Sequence, residues 1–472
     1  MADSLKFGTS GLRGLASDLV GPASGRYTAA FLSYLRRKGV LRPGDRVLIG
    51  RDLRESSPAI AAGVATAIAE AGCIAVDCGL LPTPGLALAA QAANAPAVMV
   101  TGSHIPADRN GLKFYLATGE ITKVDEAGIF ESLQDIAETS SSAVAPRDDD
   151  RARGAYFDRY RAAIAPDALA GLKVGVFQHS SVARDDMVAL LRDLGAEVVP
   201  LGRADHFVPI DTEALGVAET VQARTWVRAE GLDALVSTDG DADRPLVADE
   251  TGAFIRGDIL GILTARFVGA DAVVTPVTSN SAIEGLGDFE RVERTRVGSP
   301  YVIAGMEKAL AEGAKVVVGF EANGGVLLAS PARLAGRELA PLPTRDAMLP
   351  ILSVLAMTRA ADVSLSELVG TLPSRVARSD RLEQVPQEQT ATFIDRLRDP
   401  AGAAAFFAPV GEIAGVSDID GLRFVFRSGD VLHYRASGNA PELRCYSEAE
   451  TPERADELLA WGLGAAEEIV RR

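Results

Sequence analysis

The feature that most constrains this chain is a recurring alternation: a short apolar run of strand length, a polar loop, then a stretch of helical spacing. Arg46–Gly50, Ile74–Cys78, Ala97–Val100, Leu172–Phe177, Leu232–Thr238, Ala272–Asn280 and Lys315–Glu321 are such runs, and helical segments such as Ser24–Lys38, the alanine-rich stretch from Ser57 to Gly72 and Val182–Leu194 lie between them. This rhythm predicts mostly parallel sheets with helices on their faces. In such sheets ligands collect at the carboxyl ends of strands, so the loops that follow the apolar runs are where chemistry is expected. The alternation restarts twice, giving three α/β units in series, a weak internal repeat expected to surround one cleft.

At 472 residues the chain exceeds one ordinary core, so three or four domains are expected. The low-structure stretch Thr139–Asp150 marks a first boundary, and the composition changes again near Ser366. Boundaries are placed at 1–147, 148–252, 253–366 and 367–472. In the last segment Asp420–Phe426 and Asp430–Ser437 alternate around Ser428-Gly429, a hairpin signal, and Thr451–Arg472 reads as an acidic amphipathic helix, so this part is α+β. The predicted fold class is three consecutive mixed α/β sandwich domains plus a C-terminal α+β domain around one central cleft.

A formal charge of −16 argues against nucleic acid or an anionic membrane as main partner, though a local cationic pocket can still hold a small anion. The start MADSLKFGTS lacks a signal-peptide pattern, and no window reaches the roughly 18 apolar residues of a membrane span. A cytoplasmic location is expected. Cys73, Cys78 and Cys445 have no metal-ligand spacing, and the four histidines are scattered, so any metal should be held by carboxylates.

Five loops carry candidate chemistry. TGSHIPADRNGLKFY (Thr101–Tyr115) follows a buried-looking strand and crowds Ser103, His104 and Lys113 together. A hydroxyl there can be the nucleophile of a group-transfer enzyme; the same stretch also fits a polar turn, with Pro106 and Asn110-Gly111 as its punctuation. DGDADR places Asp239, Asp241 and Asp243 at alternate positions, three hard oxygens that suit Mg²⁺, with Arg244 beside them for a phosphate. A calcium-binding EF-hand is excluded because Arg244 stands where the loop requires glycine and strands flank it. FGTSGLRG (residues 7–14) reads as a glycine-rich loop offering Arg13 to an anion or, taken alone, as a flexible N-terminal loop. Glu321 and Asn323 in EANGGV suit sugar hydroxyls, or form an ordinary turn. RASGNAPELRCY offers Arg435, Ser437, Gly438, Asn439 and Arg444 as a phosphate cradle, or a surface turn after a hairpin.

Taken together and in this order, FGTSGLRG, TGSHIPADRNGLKFY, DGDADR, GFEANGG and RASGNAPELR resemble the α-D-phosphohexomutase family, specifically its phosphomannomutase/phosphoglucomutase branch. The resemblance spans nearly the whole chain. It implies a four-domain enzyme that moves a phosphoryl group between the two ends of a hexose phosphate through a phosphoserine and a hexose 1,6-bisphosphate, with Mg²⁺ as cofactor. On that resemblance Ser103 is the phosphoserine, and Asp239, Asp241 and Asp243 are metal ligands together with an oxygen on Ser103. Arg244, His104 and Lys113 match positions that steady the phosphoryl group or assist proton transfer, and Arg13 resembles a catalytic-site arginine of the first domain. Glu321, Asn323 and Ser299 bind substrate, and Arg435, Ser437, Gly438, Asn439 and Arg444 bind it at the non-reacting phosphate. Mannose is the expected hexose, glucose a second; phosphoglucosamine mutase and a Mg²⁺-dependent sugar phosphatase are the alternatives. The expected state is a monomer or homodimer.

Two departures stand out. Much of the family reads Gly-Glu-x-Ser-Gly or Ala with a histidine soon after, whereas Glu321 here is followed by Ala322, Asn323, Gly324 and Gly325 without one. The phosphate loop carries Asn439-Ala440-Pro441 in place of Thr-Glu-Pro.

Overall fold

The computed structural model describes residues 4–8, 11–136, 146–373, 375–437 and 441–471. They form two compact bodies, one of Met1–Val273 with Gly298–Val369, the other of Val274–Val297 with Gly370–Arg472.

In the first body the N-terminal sheet runs in the order Lys6–Gly8, Gly11–Leu15, Arg109–Leu116, Ala97–Val100, Arg46–Arg51, Ile74–Leu80, Arg147–Asp148. Ala97–Val100 is its centre, parallel to Arg46–Arg51 on one side and antiparallel to Arg109–Leu116 on the other. All four of its side chains are fully buried, and their period of two divides them between two cores. Val98 and Val100 pack with Phe31, Ile60 and Val64; Ala97 and Met99 pack with Leu81 and Leu86. An unbroken apolar run is what a strand covered by helices on both faces requires.

Two sequence expectations change here. FGTSGLRG is not an open loop: Lys6–Gly8 and Gly11–Leu15 pair antiparallel, and the second strand continues onto Arg109–Leu116. Asn110-Gly111 is not a turn but lies inside Arg109–Leu116, opposite Gly14 and Arg13. The Asn110 amide is spent on Ser56 and Ser57, and a Cβ on Gly111 would sit 2.5 Å from the Leu12 carbonyl oxygen and 3.3 Å from Arg13 Cγ. Glycine is there to let two strands and an arginine approach closely. The boundary expected at 139–150 falls partly outside the described residues; Arg147-Asp148 adds a short parallel strand beside Ile74–Leu80.

The second sheet has the order Glu197–Arg203, Lys173–His179, Ala234–Thr238, Pro245–Ala248; the first three strands are parallel and the last turns back antiparallel. That reversal creates the tight loop carrying the three aspartates. Farther on, Val317–Phe320, Val326–Leu328 and Leu342–Asp346 form an antiparallel ladder, and its first connection carries Glu321 and Asn323.

The second body is built on an antiparallel sheet in the order Val376–Glu383, Glu442–Ala449, Val431–Ala436, Leu422–Phe426, Ile413–Ser417. Strict alternation separates its faces. Leu422, Phe424, Leu432, Tyr434, Leu443 and Cys445 bury against Gln387–Arg398, Pro400–Phe407 and Pro452–Val470. The opposite parity carries Arg423, His433, Arg435, Arg444 and Tyr446 in register. Among the described residues no helix is long and apolar enough to cross a membrane.

Candidate active site

Ser103 sits immediately beyond the central strand, buried and in the left-handed region at φ 54°. A non-glycine residue held there costs on the order of 1–3 kcal/mol, so its surroundings must enforce the shape. The Ser103 N–H donates to Thr101 Oγ1 at 2.8 Å, and Thr101 Oγ1 donates in turn to Asp52 at 2.7 Å. Arg54, 2% exposed, donates to the carbonyl oxygens of Ser103, Ile105, Pro106 and Arg109 at 2.9, 2.6, 2.7 and 2.8 Å. Its guanidinium carbon also lies 3.9 Å from the centroid of the Phe207 ring. One arginine therefore gathers the carbonyls of the whole loop.

The Ser103 hydroxyl donates to Asp239 Oδ2 at 2.5 Å. His104 Nδ1 lies 3.3 Å from the same hydroxyl oxygen. Burial, then the charges of Arg244 and Arg13, hold the His104 imidazole far below its usual pKa and hence neutral.

Asp239, Asp241 and Asp243 are fully buried, and one oxygen of each lies within 4.8 Å of the others. Asp239 Oδ1 accepts from the N–H groups of Asp243 and Arg244 at 3.2 Å, which closes the loop on itself. Asp241 is fixed from the N-terminal sheet. Thr83 Oγ1 donates to Asp241 Oδ2 at 2.5 Å, the Thr83 N–H donates to its carbonyl at 2.9 Å, and Lys113 Nζ reaches the same Oδ2 at 2.6 Å. Lys113 also binds Asp243 Oδ2 at 2.7 Å, and Arg345 Nη2 binds that oxygen at 2.8 Å.

The electrostatics follow from this crowding. Burial, joined by the charges of Asp241 and Asp243, pushes Asp239 well above the usual carboxylate range. Burial works the same way on Asp243, but Arg345, Lys113 and Arg244 outweigh it and hold Asp243 below that range. For Lys113 the penalty of burial is overcome by Asp241 and Asp243, so its ammonium is favoured.

The donor set fits a hard divalent cation. Asp241 Oδ1 and Asp243 Oδ1 are buried with no hydrogen-bond donor among the described residues, although buried carboxylate oxygens are normally satisfied. Three carboxylates at this separation repel one another, and a divalent cation would offset that repulsion.

Cationic groups face the same place. The side chain of Arg13, opposite Gly111, makes no hydrogen bond or ion pair among the described residues. Burial, and after it Arg244 and Arg345, pull its pKa down to about 10, leaving it protonated at neutral pH. Arg244 is 8% exposed, and its Nε and Nη1 are buried without a hydrogen-bond acceptor. Asp211 and Glu213 stand 3.9 Å from Nη1, beyond hydrogen-bond reach. Buried guanidinium nitrogens without acceptors are suited to an anion.

The other predicted residues distribute as follows. Glu321 and Asn323 are both buried in the connection between Val317–Phe320 and Val326–Leu328; Arg345 Nη1 donates to Glu321 Oε2 at 3.1 Å, and Asn323 Oδ1 accepts from the Gly325 N–H at 3.0 Å. Ser299 is also buried, with its hydroxyl committed to Glu120 Oε2 at 2.7 Å. Arg435, Ser437 and Arg444 belong to the second body. There Arg435 Nη1 is 3.6 Å from Asp420 Oδ2, the buried Arg435 Nε has no acceptor among the described residues, and the Ser437 N–H donates to the Glu442 carbonyl at 3.0 Å. Gly438 and Asn439 lie outside the described residues. Arg54, Thr83 and Arg345 escaped sequence reasoning. Their partners are 49, 158 and 102 residues away, and no local pattern marks them.

Comparison with known proteins finds matches along nearly the whole chain. Residues 4–140, 155–252 and 256–376 match phosphoglucomutase/phosphomannomutase alpha/beta/alpha domains I, II and III, and residues 374–460 match the C-terminal domain of that family. A phosphomannomutase of Sinorhizobium fredii (strain NBRC 101917 / NGR234) is 48% identical over 468 residues, covering 97% of this chain and 98% of the relative. A phosphomannomutase of Salmonella muenchen is 42% identical over 458 residues, covering 96% and 93%. In fold, the chain is similar to the crystal structure of a phosphoglucomutase/phosphomannomutase family protein from Burkholderia thailandensis, with a TM-score of 0.76 at 22% identity over 98% of this chain and 97% of that one. The chain, three consecutive mixed α/β domains followed by a C-terminal α+β domain, belongs to the phosphoglucomutase/phosphomannomutase family and is a phosphohexomutase, an intramolecular phosphotransferase of the α-D-phosphohexomutase superfamily.

Proposed function

We propose that this phosphohexomutase interconverts mannose 1-phosphate and mannose 6-phosphate, and accepts the glucose isomers, through a phosphoserine at Ser103 and a hexose 1,6-bisphosphate. The observation that carries the reading is the 2.5 Å hydrogen bond from the Ser103 hydroxyl to Asp239, which sets a nucleophile against one of three converging carboxylates. The preference for mannose rests on the two phosphomannomutases that are 48% and 42% identical to this chain.

In the proposed cycle the 6-hydroxyl oxygen of hexose 1-phosphate attacks the phosphorus on Ser103. The bond from phosphorus to Ser103 Oγ breaks, and the hydroxyl proton is taken up within the site. The bisphosphate then turns end for end. Ser103 Oγ takes the phosphoryl group from C1, a proton returns to the C1 oxygen, and hexose 6-phosphate leaves. Each half restores what the other used.

Phosphoryl transfer is chiefly positioning and charge neutralisation. Arg13, and Arg244 with its buried Nε and Nη1 lacking acceptors among the described residues, hold the phosphoryl oxygens in place. Lys113 keeps a proton inside the site, and neutral His104 stands within hydrogen-bond reach of Ser103 Oγ. Asp239, Asp241, Asp243 and a Ser103 oxygen would hold Mg²⁺, which would supply further neutralisation of phosphoryl charge. Glu321 and Asn323 read sugar hydroxyls. Arg435, Ser437 and Arg444, with Gly438 and Asn439, take the non-reacting phosphate. A cytoplasmic location belongs to the same proposal, and three buried free cysteines support it.

Interconversion of mannose, glucose and glucosamine 1-phosphates, assayed side by side, tests the reading. The highest kcat/KM is expected for the mannose phosphate. Preference for glucosamine, or release of inorganic phosphate as the main product, would contradict it.

A further inference from the structure

The loop that reads the sugar is short of side chains: Glu321 is followed by Ala322, Asn323, Gly324 and Gly325. Yet Glu321 does not hang free. Arg345, at the end of the strand Leu342–Asp346 that pairs with Val326–Leu328, reaches back and donates from Nη1 to Glu321 Oε2 at 3.1 Å. The same guanidinium donates to Asp243 Oδ2 from Nη2 at 2.8 Å and from Nε at 3.2 Å. Arg345 is 3% exposed. One planar group thus joins a carboxylate assigned to the sugar to a carboxylate assigned to the metal, and its rigid fork fixes the angle between them.

The chain makes room for this bridge. A Cβ on Gly325 would stand 2.8 Å from Arg345 Cδ, 2.9 Å from Arg345 Cγ and 2.9 Å from the Asp243 carbonyl oxygen. No other residue type fits there while Arg345 holds its course. The strand end that carries Arg345 is itself pinned. Tyr156 donates to Asp346 Oδ1 at 2.5 Å, Tyr160 donates to Asp346 Oδ2, and the Met348 N–H reaches Oδ1 at 2.9 Å. All three tyrosine and aspartate side chains are buried, so Arg345 leaves a backbone that cannot drift.

We propose that Arg345 is the positioning residue for sugar selection: it sets the orientation of Glu321 against Asp243, and through that orientation the discrimination between hexose phosphates that differ at one hydroxyl. This rests on the proposed reading of Glu321 as the sugar carboxylate. A site built to hydrogen-bond a particular hydroxyl rejects the wrong epimer only while its acceptor is held in place. Arg345 acts through Glu321 and touches no reacting atom.

The test uses Arg345→Lys, which keeps the buried charge opposite Asp243 but cannot span both carboxylates, and Gly325→Ala, which crowds the arginine without removing it. Binding of mannose 1-phosphate and of glucose 1-phosphate to the full chain is measured by calorimetry, which needs no turnover. Wild-type and variant melting temperatures and Mn²⁺ affinities are measured alongside. In R345K the ratio of the two dissociation constants is expected to fall toward one, with the tighter ligand weakened roughly tenfold to a hundredfold, the scale of a lost charged hydrogen bond. Gly325→Ala should move the ratio the same way. An unchanged ratio in R345K, whether or not stability or Mn²⁺ affinity falls, would overturn the proposal. Ser103 phosphorylation of the wild type by hexose 1,6-bisphosphate is scored separately. Its absence would sink the phosphoserine reading and leave the binding ratio to judge Arg345.

Discussion

Arg54 donates to the carbonyl of Ser103 at 2.9 Å, and so grips the residue proposed to carry the phosphoryl group from behind, through its backbone. The same side chain holds three other carbonyls of that loop and pairs with Asp52, Nε to Oδ2, at 3.3 Å. Removing it does two things at once. The loop loses the contacts that keep Ser103 at positive φ, and Asp52 is left buried beside an uncompensated space.

Arg54→Met is therefore expected to destabilise the protein by about 3–5 kcal/mol, the usual cost of breaking a buried charge pair. Arg54→Lys keeps the charge and should be less destabilised, yet should still lose kcat, because an ammonium has three donors for four carbonyls. Urea unfolding and steady-state kinetics on the two variants check this. Full activity in Arg54→Lys would show that the fork is dispensable.

Thr83 reaches Asp241 with both its hydroxyl and its N–H. Thr83→Val removes only the hydroxyl bond to Oδ2 and keeps the shape. Loss of such a supporting bond to a metal ligand typically costs about 10–100-fold in affinity. The expected result is a matching rise in the Mg²⁺ concentration giving half-maximal rate, with Thr83→Ser near wild type. Equal Mg²⁺ dependence in all three proteins would detach Thr83 from the metal.

How far the site is legible in sequence follows from how its parts are distributed along the chain. Ser103, His104 and Lys113 lie within one loop and the strand after it, and the three aspartates lie within five residues, so local pattern exposes them. The apolar runs likewise locate the strands, because a strand covered on both faces has no polar alternation to obscure it. Arg54, Thr83 and Arg345 are invisible in the same reading. Each is an unremarkable residue locally, and its meaning arises only when folding brings a distant carbonyl or carboxylate to it. Asn110-Gly111 fails for a related reason: its composition is that of a turn, but the need there is for close approach inside a sheet, which local chemistry does not distinguish.

Asp125 offers a stability test apart from the site. It closes the capping box of the helix Lys123–Leu133 with Thr122 and accepts from Tyr34 at 2.6 Å and Lys38 at 2.8 Å. Burial alone would raise its pKa, but Lys38, Tyr34 and Thr122 outweigh it and bring it down to about 2. A carboxylate depressed from an unfolded value of about 3.9 adds stability that is complete above that value and is lost as pH falls through the folded one. Asp125→Asn should melt below wild type at pH 7, and the gap should close between about pH 4 and pH 2. A gap independent of pH would show that charge is not what Asp125 contributes.

Arg435 carries a buried Nε without an acceptor in the polar face of the C-terminal sheet. If it takes the non-reacting phosphate, it meets the same group on every substrate in either orientation. Arg435→Met should raise KM for mannose and glucose 1-phosphates by similar factors, on the order of tenfold or more for a lost charged hydrogen bond. An effect confined to one isomer would contradict a shared phosphate site.

Ser103 is proposed as the group that gives and receives phosphate, and intact-mass analysis with peptide localisation is the sharpest check of that role. After incubation with Mg²⁺ and a hexose 1,6-bisphosphate the wild type is expected to gain one phosphoryl mass located on Ser103, and to lose it on addition of excess hexose 1-phosphate. Ser103→Ala should do neither. A phosphoryl gain on another residue, or interconversion undiminished in Ser103→Ala, would contradict the account.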